Sequence, residues 1–245
     1  MTGAAGMFVW RRDPTDGVGV AFTGRGDGSF SFGNCDDDVV RANLATLRAT
    51  LGLSRVVVTR QVHGADVLVV DDSPDQTPDS QPLVLATADA LVTSAAGVGL
   101  GMRVADCVPV ALADAQARVV GVAHAGRVGL LAGVLPATVA AMAALGARAS
   151  RMRAWIGPHV CGDCYEVPAD MARQAEDAMP GIAARTSWGT PSLDLGRAAA
   201  VQLAGLGLAR VERHDPCTMT SPDLFSHRGD GPTTGRQLGL VWLAG

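Results

Sequence analysis

At 245 residues the chain is long enough to bury one sizeable core or two small ones without a disulfide or metal to hold it. Hydrophobic residues make up 48% and charged residues 18%, a globular composition, and a net charge of −4 argues against a general nucleic-acid binder. Lysine is absent, all 20 basic residues being Arg, which excludes Schiff-base chemistry on lysine and a Walker A phosphate loop.

The N-terminal segment MTGAAGMFVWRRDP has no apolar signal core, and the five Cys are odd in number. Together these predict a reducing compartment, the cytoplasm. Asp36–Asp38 cap a predicted helix through VVRANLATLRATLG that stops at Gly52. Short β-rich runs follow at Arg55–Thr59 and Val67–Val70. Residues 71–82, DDSPDQTPDSQP, read as an acidic, Pro-rich surface loop. Strands are predicted at 98–104, 108–112 and 118–123. From Val128 to Ala147 there is no charge, but Pro136, Gly and Ala make this a buried helix, kinked or split at the proline, rather than a membrane span. A strand at 153–156, helices at 168–179 and 194–206, and strands at 209–213 and 238–243 complete the chain. Strands interleaved with helices give an α/β class, and the short adjacent strands at 98–112 predict a mixed sheet.

Three residues share one position type. His63 follows VVVTRQV, Cys107 follows VGLGMRVAD and His124 follows RVVGVA, so each falls at the carboxyl end of a predicted strand, where α/β proteins place ligands and catalytic groups. Two imidazoles and a thiol match a zinc set with an open fourth position, able to activate water or polarise a substrate oxygen. The same residues also fit a cysteine hydrolase or amidase dyad, with Cys107 as nucleophile and His63 or His124 as base. Spacing alone leaves both open, alongside three ordinary packed residues.

The segments RQVHGADV, RVADCVPVALAD, VVGVAHAG, AWIGPHVCGDCYEV and FSHRGDGPTTGRQLGLVWL resemble, in order, the motifs of the YfiH/laccase-domain family, whose members are often labelled polyphenol oxidase or purine nucleoside phosphorylase. The resemblance runs from about residue 30 to the C-terminus. It implies one domain over residues 1–245, an α/β/α sandwich, with a catalytic zinc on His63, Cys107 and His124. It also implies phosphorolysis of purine nucleosides (adenosine, inosine, guanosine, methylthioadenosine), with adenosine deamination as a companion activity. The chain departs from the family pattern at Arg127 and Val128, where Trp and Arg are usual, at His227 and Gly229, where Tyr and Arg are usual, and in the shortened segment FTGRGDGSFSFGNCDDD.

Phosphorolysis needs a held phosphate, and without lysine the guanidinium fork is the natural ligand. Arg60, Arg103 and Arg228 are the candidates, since each lies in a matching motif, with Arg127 as a spatial substitute. Gln61 lies two residues before His63 and shares its strand face, a position suited to binding substrate. Asp106 adjoins the Cys ligand as a hydrogen-bond acceptor or an acid/base group. The Gly residues after both His ligands are expected to serve tight turns. The signature of classical zinc deaminases is absent.

Cys161-Gly162-Asp163-Cys164, with His159, His214 and Cys217, raises a structural zinc site or a redox pair, but the usual second CxxC is missing. Copper is disfavoured, because five His with no His-x-His pair do not supply a multicopper cluster within one chain. The expected partners are purine nucleosides and phosphate, without nucleic acid or membrane, for a monomer or homodimer. The altered motifs leave a divergent, metal-binding but inactive homologue as a further alternative.

Overall fold

The computed structural model describes residues 8–33, 35–71 and 84–245. The loop expected at 71–82 lies, from residue 72 on, outside them. Strands β1 (Trp10–Arg12) and β2 (Val18–Phe22) precede helix α1 (Asp37–Leu51). Next come β3 (Arg55–Arg60), β4 (Val67–Val69), β5 (Val84–Thr87), β6 (Ala90–Thr93), β7 (Val98–Val104), β8 (Val108–Asp114) and β9 (Val119–Ala125). Helices α2 (Arg127–Leu131) and α3 (Val134–Ala144) lead to β10 (Arg153–Ile156), α4 (Ala169–Ala178) and the pair β11 (Ala183–Arg185) and β12 (Pro191–Leu193). Helix α5 (Leu195–Gly205), β13 (Arg210–Arg213), the short α6 (His227–Asp230) and β14 (Gln237–Leu243) close the chain.

The mixed α/β architecture read from sequence is borne out, with the strands divided between two sheets. One has the order β1-β2-β14-β7-β3-β5 and the other β13-β10-β8-β9-β6-β4, and each combines parallel and antiparallel neighbours. The sheets pack face to face through Val20, Phe22, Leu100 and Met102 from the first and Leu91, Val120, Val122 and Trp155 from the second. Helix α1 covers the outer face of the first sheet through Leu47, beside Val58 and Leu240. Helices α3, α4 and α5 cover the second through Val139, Ala175 and Leu203. Strands β8, β9 and β14 are buried along their whole length, so they read as continuous apolar runs instead of alternating ones.

Local signals explain the element ends. The Asp36 carboxylate accepts from Asp38 N, and Gly52, at φ 65°, closes α1. The uncharged run 128–147 breaks after α2 at Ala132–Gly133. Pro136 cannot follow a helical residue 132, because its ring meets the carbonyl four residues back. Gly133 takes φ 90° and lets the chain restart as α3. Among the described residues no helix is long and apolar enough to cross a membrane.

Two connections set up the functional site. Strand β3 runs parallel to β7, so their carboxyl ends reach the same edge. The turn after β7 crosses to the second sheet, where β8 pairs antiparallel with β9 in a register that sets Pro109 opposite His124. The start of β8 therefore lies beside the end of β9, and Cys107 is delivered next to His124.

Candidate active site

His63 lies in the loop after β3, Cys107 in the turn between β7 and β8, and His124 is the penultimate residue of β9. His124 thus sits inside its strand and not just beyond it, because the pairing of β9 with β8 continues to Ala125. The ligand atoms of the three residues all lie within 4.8 Å of one another. Cys107 Sγ is 3.8 Å from His63 Nε2, against a separation of about 3.6 Å for sulfur and nitrogen ligands of one tetrahedral zinc. The two imidazoles meet edge to face with centroids 4.8 Å apart.

Asp89, which the sequence reading did not single out, organises this set. Its fully buried carboxylate accepts from Val62 N, His63 N and Gly64 N at 3.0, 2.9 and 2.7 Å. Its Oδ1 is also 2.8 Å from His124 Nδ1. One side chain therefore fixes the His63 loop and turns His124 Nε2 toward the other two ligands, the arrangement that orients metal-binding imidazoles. In sequence Asp89 was visible as an acid inside the apolar run 84–92, a position where a buried charge demands partners.

Gly126 serves another purpose than the tight turn expected of it, while Gly64 does lie in the bend after His63. The left-handed residue is His63 itself, at φ 61°, held there by its N–H on Asp89. Gly126 has an ordinary φ of −69°. A Cβ on it would stand 2.8 Å from His63 Cδ2 and 2.9 Å from Cys107 Sγ, so this glycine makes room for the ligands.

Burial alone pushes the Cys107 thiol up, but the neighbouring imidazoles, His124 foremost, outweigh it and bring it down to about 6. Burial likewise pushes His124 down, and the Cys107 charge with the Asp89 hydrogen bond raises it to about 9. Each charge thus favours the other, the thiolate raising the imidazole and the imidazole lowering the thiol. A cation on the same atoms replaces the imidazolium proton. The donor set of two imidazoles and a thiolate, already oriented, fits a zinc-class ion with one position open.

The ligands open into a cavity of about 630 Å³, within the usual range for small-molecule sites. Arg103, Arg228 and Arg236 line it together with Phe32, Tyr165 and His227. Arg103 lies over the Phe32 ring and donates to Thr59 O at 2.8 Å. Its buried Nε has no hydrogen-bond partner among the described residues. Arg236 was not singled out from sequence, although it stands in the motif GRQLGL. Burial lowers the pKa of both Arg103 and Arg236, and for Arg103 the Arg236 charge adds to it. Arg228 lies over the Tyr165 ring and donates to Glu166 O at 2.7 Å.

The other sequence candidates are placed differently. Arg60 is exposed at the end of β3 and is not among the cavity-lining residues. Gln61 lines the cavity, but its amide exchanges two hydrogen bonds with the Arg103 backbone, both 2.9 Å. It therefore extends the β3–β7 pairing. Asp106, at φ 90°, accepts from Thr218 Oγ1, Ser226 Oγ and Arg228 N at 2.6, 2.7 and 2.7 Å. Its carboxylate thus pins the 218–228 segment to the Cys107 turn. Arg127 sits beside the Tyr165 hydroxyl, whose pKa burial raises and Arg127 and Arg228 lower. Val128 is 49% exposed and outside the cavity lining.

The profile of the family described as multi-copper polyphenol oxidoreductase laccase matches residues 18–244. A protein named purine nucleoside phosphorylase from Streptomyces griseus is 48% identical over 210 residues, spanning 85% of this chain and 83% of its own. A protein named adenosine deaminase RL5, from an unknown prokaryotic organism, is 34% identical over 241 residues, covering 90% of this chain and 92% of its own. The crystal structure of Neisseria meningitidis protein NMB0706 superposes with a TM-score of 0.82 at 28% identity, covering 98% of this chain and 100% of the other.

Proposed function

The chain belongs to the multi-copper polyphenol oxidoreductase laccase family, and on that premise we propose that it is a zinc-dependent purine nucleoside phosphorylase. The observation that carries this reading is the shared cavity, in which the His63, Cys107 and His124 ligand set faces Arg103, Arg228 and Arg236. Relatives named purine nucleoside phosphorylase support an enzyme acting on nucleosides and phosphate.

The residues divide the work. Arg103 and Arg236 bind phosphate, because two half-buried cations in mutual repulsion on the cavity lining gain most from an anion. Arg228, braced on Tyr165 and Glu166 O, brings a third positive charge to the same wall. Phe32 and Tyr165 keep two of the guanidinium groups oriented and supply aromatic surface for the purine. His63, Cys107 and His124 hold the zinc, which when bound supplies Lewis acidity to charge developing on the substrate. Asp89 and Asp106 are positioning residues, for the ligands and for Arg228 respectively.

Zinc is favoured over a copper cluster by the donors at hand. Among the described residues, neither His159 nor His214 belongs to a group of ligand atoms close enough to share an ion. A cytoplasmic location suits the five free thiols. Adenosine deamination on the same metal is a second reading, supported by the relative named adenosine deaminase. The test is chromatography of adenosine, inosine and methylthioadenosine incubated with the zinc-loaded protein, with and without phosphate. Free base formed only with phosphate is the expected result. Inosine formed from adenosine without phosphate puts deamination first, and no product from any nucleoside overturns both readings.

A further inference from the structure

A second group of soft ligands lies outside the catalytic set. The Sγ atoms of Cys161, Cys164 and Cys217 all stand within 4.8 Å of one another, and none is in a disulfide. Thiolate ligands of one tetrahedral zinc stand about 3.8 Å apart, so the three sulfurs need only small adjustments to share an ion. Cys161 and Cys164 flank a tight turn in which Cys164 N and Tyr165 N both donate to Cys161 O, at 3.0 and 2.9 Å. Cys217 arrives from a distant segment whose backbone bridges His159, with Thr218 N donating to His159 O at 3.0 Å. Cys161 N points at Cys217 Sγ, 3.4 Å away, as a backbone donor does toward a metal-bound thiolate. The two imidazoles that sequence proximity grouped with these thiols, His159 and His214, do not belong to the cluster, whose mutually close ligand atoms are the three sulfurs.

We propose that Cys161, Cys164 and Cys217 form a second metal site, which takes a zinc-class ion through three thiolates and leaves its fourth position to solvent. The ligand chemistry differs from that of the catalytic set. Three sulfurs and no imidazole select a soft ion and disfavour calcium or magnesium. Three thiolates this close repel one another, and a dication offsets that charge, the three thiol protons passing to solvent as the ion binds. Cys161 and Cys217 are partly exposed, which gives the ion an entry path, while Cys164 is buried.

The position suggests what the ion does. The CxxC turn leads directly into Tyr165, and the Cys217 segment leads into Thr218, Ser226 and Arg228, which hold Asp106. An ion bridging the two segments staples the Tyr165 turn to the segment that carries Arg228, which already meets Tyr165 across the cavity lining. It binds no substrate, and the inference stands whether or not the nucleoside reading does, because its readouts do not involve turnover.

The test is metal content of the full chain, purified reduced and equilibrated with Zn²⁺. Two equivalents per chain are expected for the wild type, one for His63→Ala, one for Cys217→Ser and none for the double variant. In His63→Ala, added Zn²⁺ still raises Tm, and Cys217→Ser on top removes that rise. Should Cys217→Ser fold poorly, the wild type alone decides the matter. On titration with Co²⁺, the sulfur-to-cobalt absorption keeps growing through the second equivalent. A single equivalent that His63→Ala abolishes overturns the proposal. So does absorption that stops at the first equivalent, or a mass lower by a pair of hydrogens marking a disulfide among the three thiols in the purified protein.

Discussion

Asp89 Oδ1 and His124 Nδ1 meet at 2.8 Å in the buried interior behind the candidate ligand set, and the same carboxylate accepts three backbone N–H groups from the His63 loop. One acid thereby couples two ligands that stand 61 positions apart in sequence, from 63 to 124. Asp89→Asn presents an amide N–H₂ where four donors converge. Zinc affinity is expected to fall about 10–100-fold, and stability by about 3 kcal/mol from the unpaired buried donors. A chelator competition titration and a urea melt check both. Unchanged zinc affinity would remove Asp89 from the account of the centre.

Gly126 supplies space at the ligands, not backbone freedom. Gly126→Ala places a Cβ within 3 Å of both His63 and Cys107, so the ligands must move apart. The fold is expected to survive at a cost of about 1–3 kcal/mol, with zinc content per chain well below that of the wild type. Full metal content in a folded Gly126→Ala protein would contradict the assigned geometry.

The arginines separate by place. Arg236→Ala or Arg103→Ala is expected to lower kcat/KM for phosphate about 10–100-fold, the worth of one charge-assisted hydrogen bond to an anion. Arg60→Ala is expected to leave it within about twofold, since Arg60 is exposed and outside the cavity. Steady-state kinetics at varied phosphate makes the comparison, and the reverse ranking would return the phosphate site to the β3 end.

Far from the site, Asp114 is fully buried and accepts from Arg151 Nε and Nη2, Arg148 N and Ala117 N. Burial pushes its carboxyl up, but Arg151 and these N–H groups hold it below the usual carboxylate range. A depressed folded-state pKa stabilises the protein fully above the unfolded value of about 3.9, and that stability is lost as pH falls through the folded value. Urea melts from pH 7 to 3 are expected to show stability falling mainly below about pH 4. Asp114→Asn, already destabilised at pH 7, should show a shallower decline. Parallel curves for the two proteins would exclude Asp114 as a source of the acid loss.

Much of this organisation is legible in the residues. The runs at 98–104 and 153–156 become β7 and β10 without adjustment. Pro136 forecasts the split between α2 and α3. The ligand set is visible because each member follows a clear strand. What escapes has physical reasons. Strands β1, β6, β11 and β12 are only three or four residues long, and their local sequences carry no strand pattern of their own. The division into two sheets depends on long-range register, such as Trp242 beside Gly19, which no local window contains. Asp89 and Arg236 come to the candidate site through tertiary placement, one bonded to His124 and the His63 loop and one on the cavity lining. Gln61 and Asp106 carry suitable chemistry, but their polar atoms are taken up by the Arg103 backbone and by the 218–228 segment.

The proposed function puts a zinc set and a phosphate-binding arginine wall in one cavity, acting on the same nucleoside. The most direct measurement is the rate of adenine release from adenosine as phosphate is raised, for the zinc-loaded wild type, His63→Ala and Arg236→Ala. The account predicts saturable, phosphate-dependent release in the wild type, loss of release in His63→Ala, and a curve shifted to higher phosphate in Arg236→Ala. Release that ignores phosphate, or that survives unchanged in His63→Ala, would contradict it.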